Sequence, residues 1–307
     1  MVFLSLARGI RRTVACRHLL PPLFLCNLAF SVSLALTFHY TLSSAFGDSR
    51  ASLSLLTGFD ATIVTDLRRM HPTALPGFLQ IVGAASLFYV VLNTFLAGGV
   101  ISAVQSGADR SERYAFLVSC ARFFGRFFRL FLLTGSIAAI LTALLLVLAG
   151  LLMAPLYRAA TSETTILLGG ALAGGMILGS IFLLVMIADY AKIGIVLCDS
   201  PSTTRAFAVS FRFVLRNLGS TLGLQTILLL TTLLLATVHA LFWTSQQMDS
   251  APVLIMVFLL HQLFILLRIA IRVFSLGSES TLYETLQRVN SWESLPATPA
   301  PDRSSSR

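Results

Sequence analysis

An all-α, polytopic membrane helix bundle with six transmembrane helices is the fold class this chain predicts, on three observations. Six apolar runs are each about 20 residues or longer, enough to cross a ~30 Å hydrocarbon layer at 1.5 Å per residue. Charged residues are 11% of the 307, against roughly 25% in soluble domains, so polar groups could not cover a globular surface. The segments between the runs alternate between arginine-rich and arginine-poor, as expected of a chain that crosses a bilayer repeatedly.

The spans fall at Leu19–Tyr40, Gly77–Val104, Leu130–Leu156, Thr165–Ala188, Leu222–Trp243 and Pro252–Phe274. Arg8, Arg11, Arg12 and Arg17 precede the first, as in a secretory signal, but the run is longer than a signal core and ends at no small-x-small cleavage site. It reads as an uncleaved span, opened by Pro21–Pro22, where missing amide donors cost little. The loop of residues 41–76 is the longest on the far side, and its FDATIVTDLRRM stretch predicts a short surface helix.

Of 22 Lys and Arg, only Arg50, Arg68, Arg69 and Arg158 fall on one side of this layout. Cytoplasmic loops are the basic ones, so both termini are predicted to be cytoplasmic. The net charge of +9 is accounted for in the same way, and nucleic acid is not an expected partner. The first 275 residues form the six-span domain, and 276–307 a cytoplasmic tail. That tail begins as a short helix through Arg288 and ends in PATPAPDRSSSR, which has nothing to bury and is expected to be disordered.

Shifting the chain by 90 residues aligns its two internal arginine-rich loops. Asp109 falls on Asp199, Arg122 on Arg212, Phe123 on Phe213 and Arg126 on Arg216. The candidate repeat is 77–156 and 165–243. Each copy predicts an amphipathic interfacial helix, before spans three and five. Arg122, Arg126 and Arg129 form one stripe and Arg212 and Arg216 another, with phenylalanines over the remaining surface. These arginines are candidate contacts for anionic inner-leaflet lipids, the expected partners, alongside an unidentified membrane protein.

The run AKIGIVLCDSPSTTRAFAVSFRFVLRN followed by an apolar span resembles an element of poorly characterised bacterial membrane proteins. These are similar to the membrane domain attached to some glycerophosphodiester phosphodiesterases. The shared features are an acidic turn, an alanine, a serine and basic residues before a span, which here are Asp199, Ala206, Ser210, Arg212 and Arg216. The resemblance implies a membrane module of a bacterial cytoplasmic membrane and no activity, since nothing in this chain could form that family's catalytic barrel.

Polar residues inside spans are costly and call for a role. His261, Arg268 and Arg272 are seven and four apart on the last span, so they share a face. His261 lies about 14 Å and Arg268 about 24 Å in from Pro252. Asp189 and Asn93 reach a similar inner depth, so His261, Arg268, Asp189 and Asn93 form a candidate polar cluster in which Asp189 pairs with Arg268. A small-molecule or ion transporter would use this cluster, while a structural ion pair is the simpler reading. GGALAGGMILG places Gly170 and Gly174, and Gly175 and Gly179, four apart, which predicts close packing within the bundle. Cys16, Cys26, Cys120 and Cys198 lack CxxC spacing, and the histidines lack zinc-motif spacing, so no disulfide and no metal site is expected. No GxSxG, HExxH, P-loop or strand-borne GxGxxG occurs, so neither an enzyme nor a cofactor is predicted.

Overall fold

The structure is a computed structural model that describes residues 2–46, 65, 69, 74–106, 113–159, 163–244 and 251–293. Among these residues every regular element is helical. The helices are α1 Val2–Ala15, α2 Leu20–Phe46, α3 Ala74–Ser106, α4 Arg113–Ala159, α5 Glu163–Leu197, α6 Thr203–Arg216, α7 Leu218–Thr244 and α8 Ala251–Glu293, with a 3-10 turn Arg17–Leu19 between α1 and α2. Six of them, α2, α3, α4, α5, α7 and α8, are long and apolar enough to cross a membrane. The chain is a multi-pass membrane protein. FDATIVTDLRRM, apart from Thr65 and Arg69, residues 107–112, which include Asp109, and PATPAPDRSSSR lie outside the described residues.

The buried core sits at the arginine-rich end of the bundle. It is built from Cys16, Leu19 and Leu23, then Val100, Ile101 and Val104, Phe123, Phe127 and Leu130, Met186, Tyr190, Ile193 and Ile195, Phe213 and Val214, and Val273, Leu276, Leu282, Tyr283 and Leu286. Towards the opposite end, side chains such as Leu144, Leu151, Leu234 and Leu241 are exposed. Lipid tails are as apolar as leucine, so helices in hydrocarbon gain little by burying leucine against one another. Where they emerge from it, burying a Leu, Ile or Phe side chain contributes about 1.5–3 kcal/mol.

The arginine-rich stretch before span three is helical, but it is not a separate interfacial helix. It forms the opening turns of the 47-residue α4, about 70 Å long, which runs straight into the span. Nothing between Arg113 and Leu130 could break the ladder, since the stretch holds no proline and its one glycine, Gly125, is tolerated. Before span five the helices do divide, because Asn217 leaves helical geometry (φ −118°) and its side-chain amide donates to the Phe213 carbonyl at 3.0 Å. Phe123 and Phe213 are both buried at their aligned positions, while Arg122, Arg212 and Arg216 face outward.

The last helix differs from expectation as well. It does not end near Phe274 with a separate tail. It continues to Glu293, and Ser278, Glu279, Ser280 and Leu282 are fully buried. Helix α1 lies against this extension. Gly9 abuts Ser278 and Gly277 closely enough that any side chain there would clash, and Arg12 makes a two-pronged pair with Glu284 (3.1 and 2.9 Å).

Helices α3 and α4 meet through Gly98 and Gly99. A Cβ on Gly99 would lie 2.5 Å from Cys120 Sγ and 2.6 Å from the Phe116 ring. The glycines expected to pack, Gly170, Gly174, Gly175 and Gly179 on α5, meet no neighbouring atom of the described chain. That helix is held at its other end instead, where Met186–Ile195 enter the core and Tyr190 packs with Phe213 and Tyr283 (ring centroids 5.4 and 6.2 Å).

Candidate functional site

Beside the core, all six spans line a cavity of about 660 Å³. Its cationic groups are Lys192 on α5 and Arg268 and Arg272 on α8, and no acidic side chain lines it. Asn27, Tyr89, Asn93 and Gln225 add polar groups, and Phe127, Phe131 and Leu228 add apolar wall. The Tyr89 hydroxyl donates to Asn27 Oδ1 at 2.6 Å, which joins α2 to α3, and the Phe30 ring covers Tyr89 at 4.9 Å. Asn93 and Arg268 are exposed and Leu229, also lining, is 51% exposed, so the cavity opens to the bundle's surroundings.

Asp189 lies behind this wall with 1% exposure. It takes 2.8 Å from Lys192 Nζ and 3.2 Å from each of two Arg272 nitrogens. Its expected partner, Arg268, is one helical turn away on α8 and makes no ion pair among the described residues. Lys192 is on the same helix as Asp189, three residues on, and donates to Oδ1, the oxygen that also accepts from Arg272 Nη2, while Arg272 Nη1 holds Oδ2. A buried carboxylate needs this much compensation, because leaving a charge unpaired in low dielectric costs several kcal/mol. Deeper still, Glu279 accepts the Ser275 hydroxyl at 2.8 Å, while its Oε2 and the Tyr190 hydroxyl are buried with no protein hydrogen-bond partner among the described residues.

The four residues of the expected cluster therefore separate. Arg268 and Asn93 share the cavity, and Asp189 is reached only through Arg272 and Lys192. His261 stands apart, its Nδ1 3.3 Å from His239 Nε2, with Phe264 stacked on His239 at 4.1 Å. Arg272, expected only to share a helix face with His261 and Arg268, and Lys192 are the groups that hold Asp189. The spacing of Arg272, Ser275 and Glu279 along one helix face was the signal for this extension of the polar cluster.

The arginine-rich surface is a second feature. Arg122 and Arg126, two of the expected lipid contacts, grip Asp199 at 2.5 and 2.6 Å. Asp199 sits in the short turn between α5 and α6 with φ +44°, a left-handed conformation that aspartate tolerates better than most residues. Hydrogen bonds from Arg126 and then Arg122 hold its carboxyl below the ordinary range. Ser202 caps the next helix, its hydroxyl accepting from the Arg205 amide (3.4 Å). Arg129, Arg212 and Arg216 are exposed and form no ion pair among the described residues. No group of three His, Cys, Asp or Glu among the described residues could hold a metal ion.

No protein-family model, no curated protein and no solved structure matches this chain.

Proposed function

We propose that the chain is a non-catalytic, lipid-associated component of a bacterial cytoplasmic membrane, with both termini inside, that gathers anionic lipid around its inner end. The observation behind this reading is the pair of short helices α1 and α6. Neither contains an acidic residue, and between them they carry six arginines. Helix α1 turns Ser5 and Gly9 inward and leaves Phe3 (81%), Ile10 and Val14 exposed, with Arg8 and Arg11 beside them. Helix α6 buries Ala206, Ser210 and Phe213 and exposes Phe211 and Leu215 next to Arg205, Arg212 and Arg216. An apolar face bordered by arginine suits the boundary between acyl chains and headgroups, where each basic residue near an anionic surface contributes about 1 kcal/mol.

The resemblance to the membrane domain of glycerophosphodiester phosphodiesterases fits a module that works within the bilayer. A membrane-protein partner belongs to the same reading, and a stoichiometric second chain in a native-membrane preparation would identify it. The test is lipid analysis of the chain extracted in native-membrane discs. Anionic lipid should be enriched over the bulk membrane, and the triple variant Arg205→Gln, Arg212→Gln, Arg216→Gln should lose that enrichment. Equal lipid ratios in discs and bulk membrane would remove the proposal.

A small-molecule or ion transporter is the second reading, favoured by the polar-lined cavity. Anion flux in proteoliposomes that stops in Arg268→Gln would select it.

A further inference from the structure

We infer that the cavity between the spans binds one phosphate-bearing amphiphile, with its phosphate held among Lys192, Arg268 and Arg272. The charge balance favours an anion. Three cations line the space and one carboxylate, Asp189, touches two of them. Counting the buried Glu279 as ionised still leaves an excess of one positive charge. Arg268 forms no ion pair among the described residues, although it sits in an apolar span that runs from Pro252 to Gln287. A guanidinium in such a wall is costly unless an anion or water meets it.

The geometry favours phosphate. Arg268 and Arg272 are four residues apart on one helix, so their Cβ atoms are about 5–6 Å apart and both side chains line the same space, with the Arg272 terminal nitrogens also on Asp189. Planar guanidinium groups bind phosphate oxygens in pairs, and Lys192 adds a point charge from the facing helix. Arg272 retains 52% side-chain exposure while bound to Asp189, so it has donors left for a ligand.

The rest of the cavity favours an amphiphile. Phe127, Phe131, Leu228 and Leu229 supply an apolar wall. A volume of about 660 Å³ is within the range of roughly 300–1,000 Å³ typical of small-molecule pockets. It accommodates a headgroup and part of a chain, with the remainder lying in the bilayer beyond the exposed Asn93 and Leu229. This deepens the lipid-associated reading and rests on it only for the source of the phosphate.

The experiment uses the full chain in detergent, stripped of loose lipid and examined by native mass spectrometry and thermal shift. The probes are lysophosphatidic acid, lysophosphatidylcholine and inorganic phosphate. One lysophosphatidic acid per chain should bind and raise the unfolding temperature. Arg268→Gln should weaken it at least tenfold, and Arg268→Lys should recover part of the loss. Leu229→Trp, which narrows the opening without changing charge, should weaken the lipid and spare inorganic phosphate. Binding of inorganic phosphate with equal sensitivity to Arg268→Gln would support the phosphate site and assign it to a soluble phosphoester. No one-to-one binding of any probe, or binding unaffected by Arg268→Gln, would overturn the inference. The triple arginine variant of α6 separates the two proposals, since it should strip surface lipid and leave the one-to-one adduct intact.

Discussion

Asp189→Ala should be among the most damaging single changes in this protein, and its effect should be coupled to Arg272. Asp189 has 1% exposure and accepts three contacts from two cations, all at 2.8–3.2 Å. Removing one partner of a buried pair costs about 3–5 kcal/mol. Here the lower end applies, because Arg272 (52% exposed) and Lys192 (22%) can turn into the cavity. About 3 kcal/mol corresponds to a fall of roughly 6–12 °C in unfolding temperature at about 2–4 °C per kcal/mol. Arg272→Ala alone should cost a comparable amount, since it leaves the carboxylate with Lys192 only. The double variant should recover about 1–3 kcal/mol relative to the sum of the two losses. Asp189→Ala with Arg268→Ala should show a much smaller coupling than the Asp189–Arg272 pair, because Arg268 makes no ion pair with Asp189. The assay is a thermal melt of the parent protein, the three single variants (Asp189→Ala, Arg272→Ala, Arg268→Ala) and the two double variants in one detergent at one pH. Strict additivity for Asp189 and Arg272, or coupling for Asp189 and Arg268 instead, would refute the assignment of the pair.

Other expectations can be checked on the same preparations. Gly99→Val should lower stability by about 1–3 kcal/mol through overpacking against Cys120 and Phe116, whereas Gly175→Val should stay within about 0.5 kcal/mol, both read as thermal shifts. A water-soluble maleimide at pH 8 should modify Cys198, which is exposed, before Cys16, whose buried thiol is pushed up by desolvation and packs on the Ala103 carbonyl. Mass counting after timed labelling, with Cys198→Ser as control, checks this, and labelling of inverted but not right-side-out vesicles tests the proposed orientation. The Asp199 carboxyl is depressed by its arginines, so their grip contributes above the ordinary carboxylate pKa of about 3.9 and is lost as pH falls through the lower folded value. Hydrogen exchange of residues 198–202, corrected for intrinsic rate, should therefore be flat from pH 8 to pH 5 and rise only in strong acid. Asp199→Ala should show the raised rate at every pH.

The spans were legible because membrane crossing is a local property: length and hydropathy decide it within one segment. Partner choice was less legible. Arg268 and Arg272 share a face of α8, and only the axial register of α8 against α5 decides which one meets Asp189. That register is a few ångströms of sliding that no single segment encodes. The seat of α1 was hidden for a similar reason. Gly9 and Arg12 read as ordinary residues of a basic leader until Gly277, Ser278 and Glu284 are placed beside them. The role of Asp199 was half visible, as an acidic residue in a turn, but its aligned arginines were assigned to lipid because a loop gives no sign of which helix it folds back on. The glycines of α5 misled because small residues permit close approach without compelling it.

The seat of α1 also dictates a schedule for synthesis. Arg12 and Glu284 are 272 residues apart in the chain. At roughly 5–20 residues per second, about 14–54 s separate the emergence of the first from that of the second. Through that interval α1 has no α8 to lie on, and the inward-facing Ser5 and Gly9 have no neighbour to match. The fold therefore closes from its two ends at once, and only when the sixth span has been made. A nascent chain stopped before Ala251 would carry five spans and an undocked α1, a state for quality-control proteases to recognise.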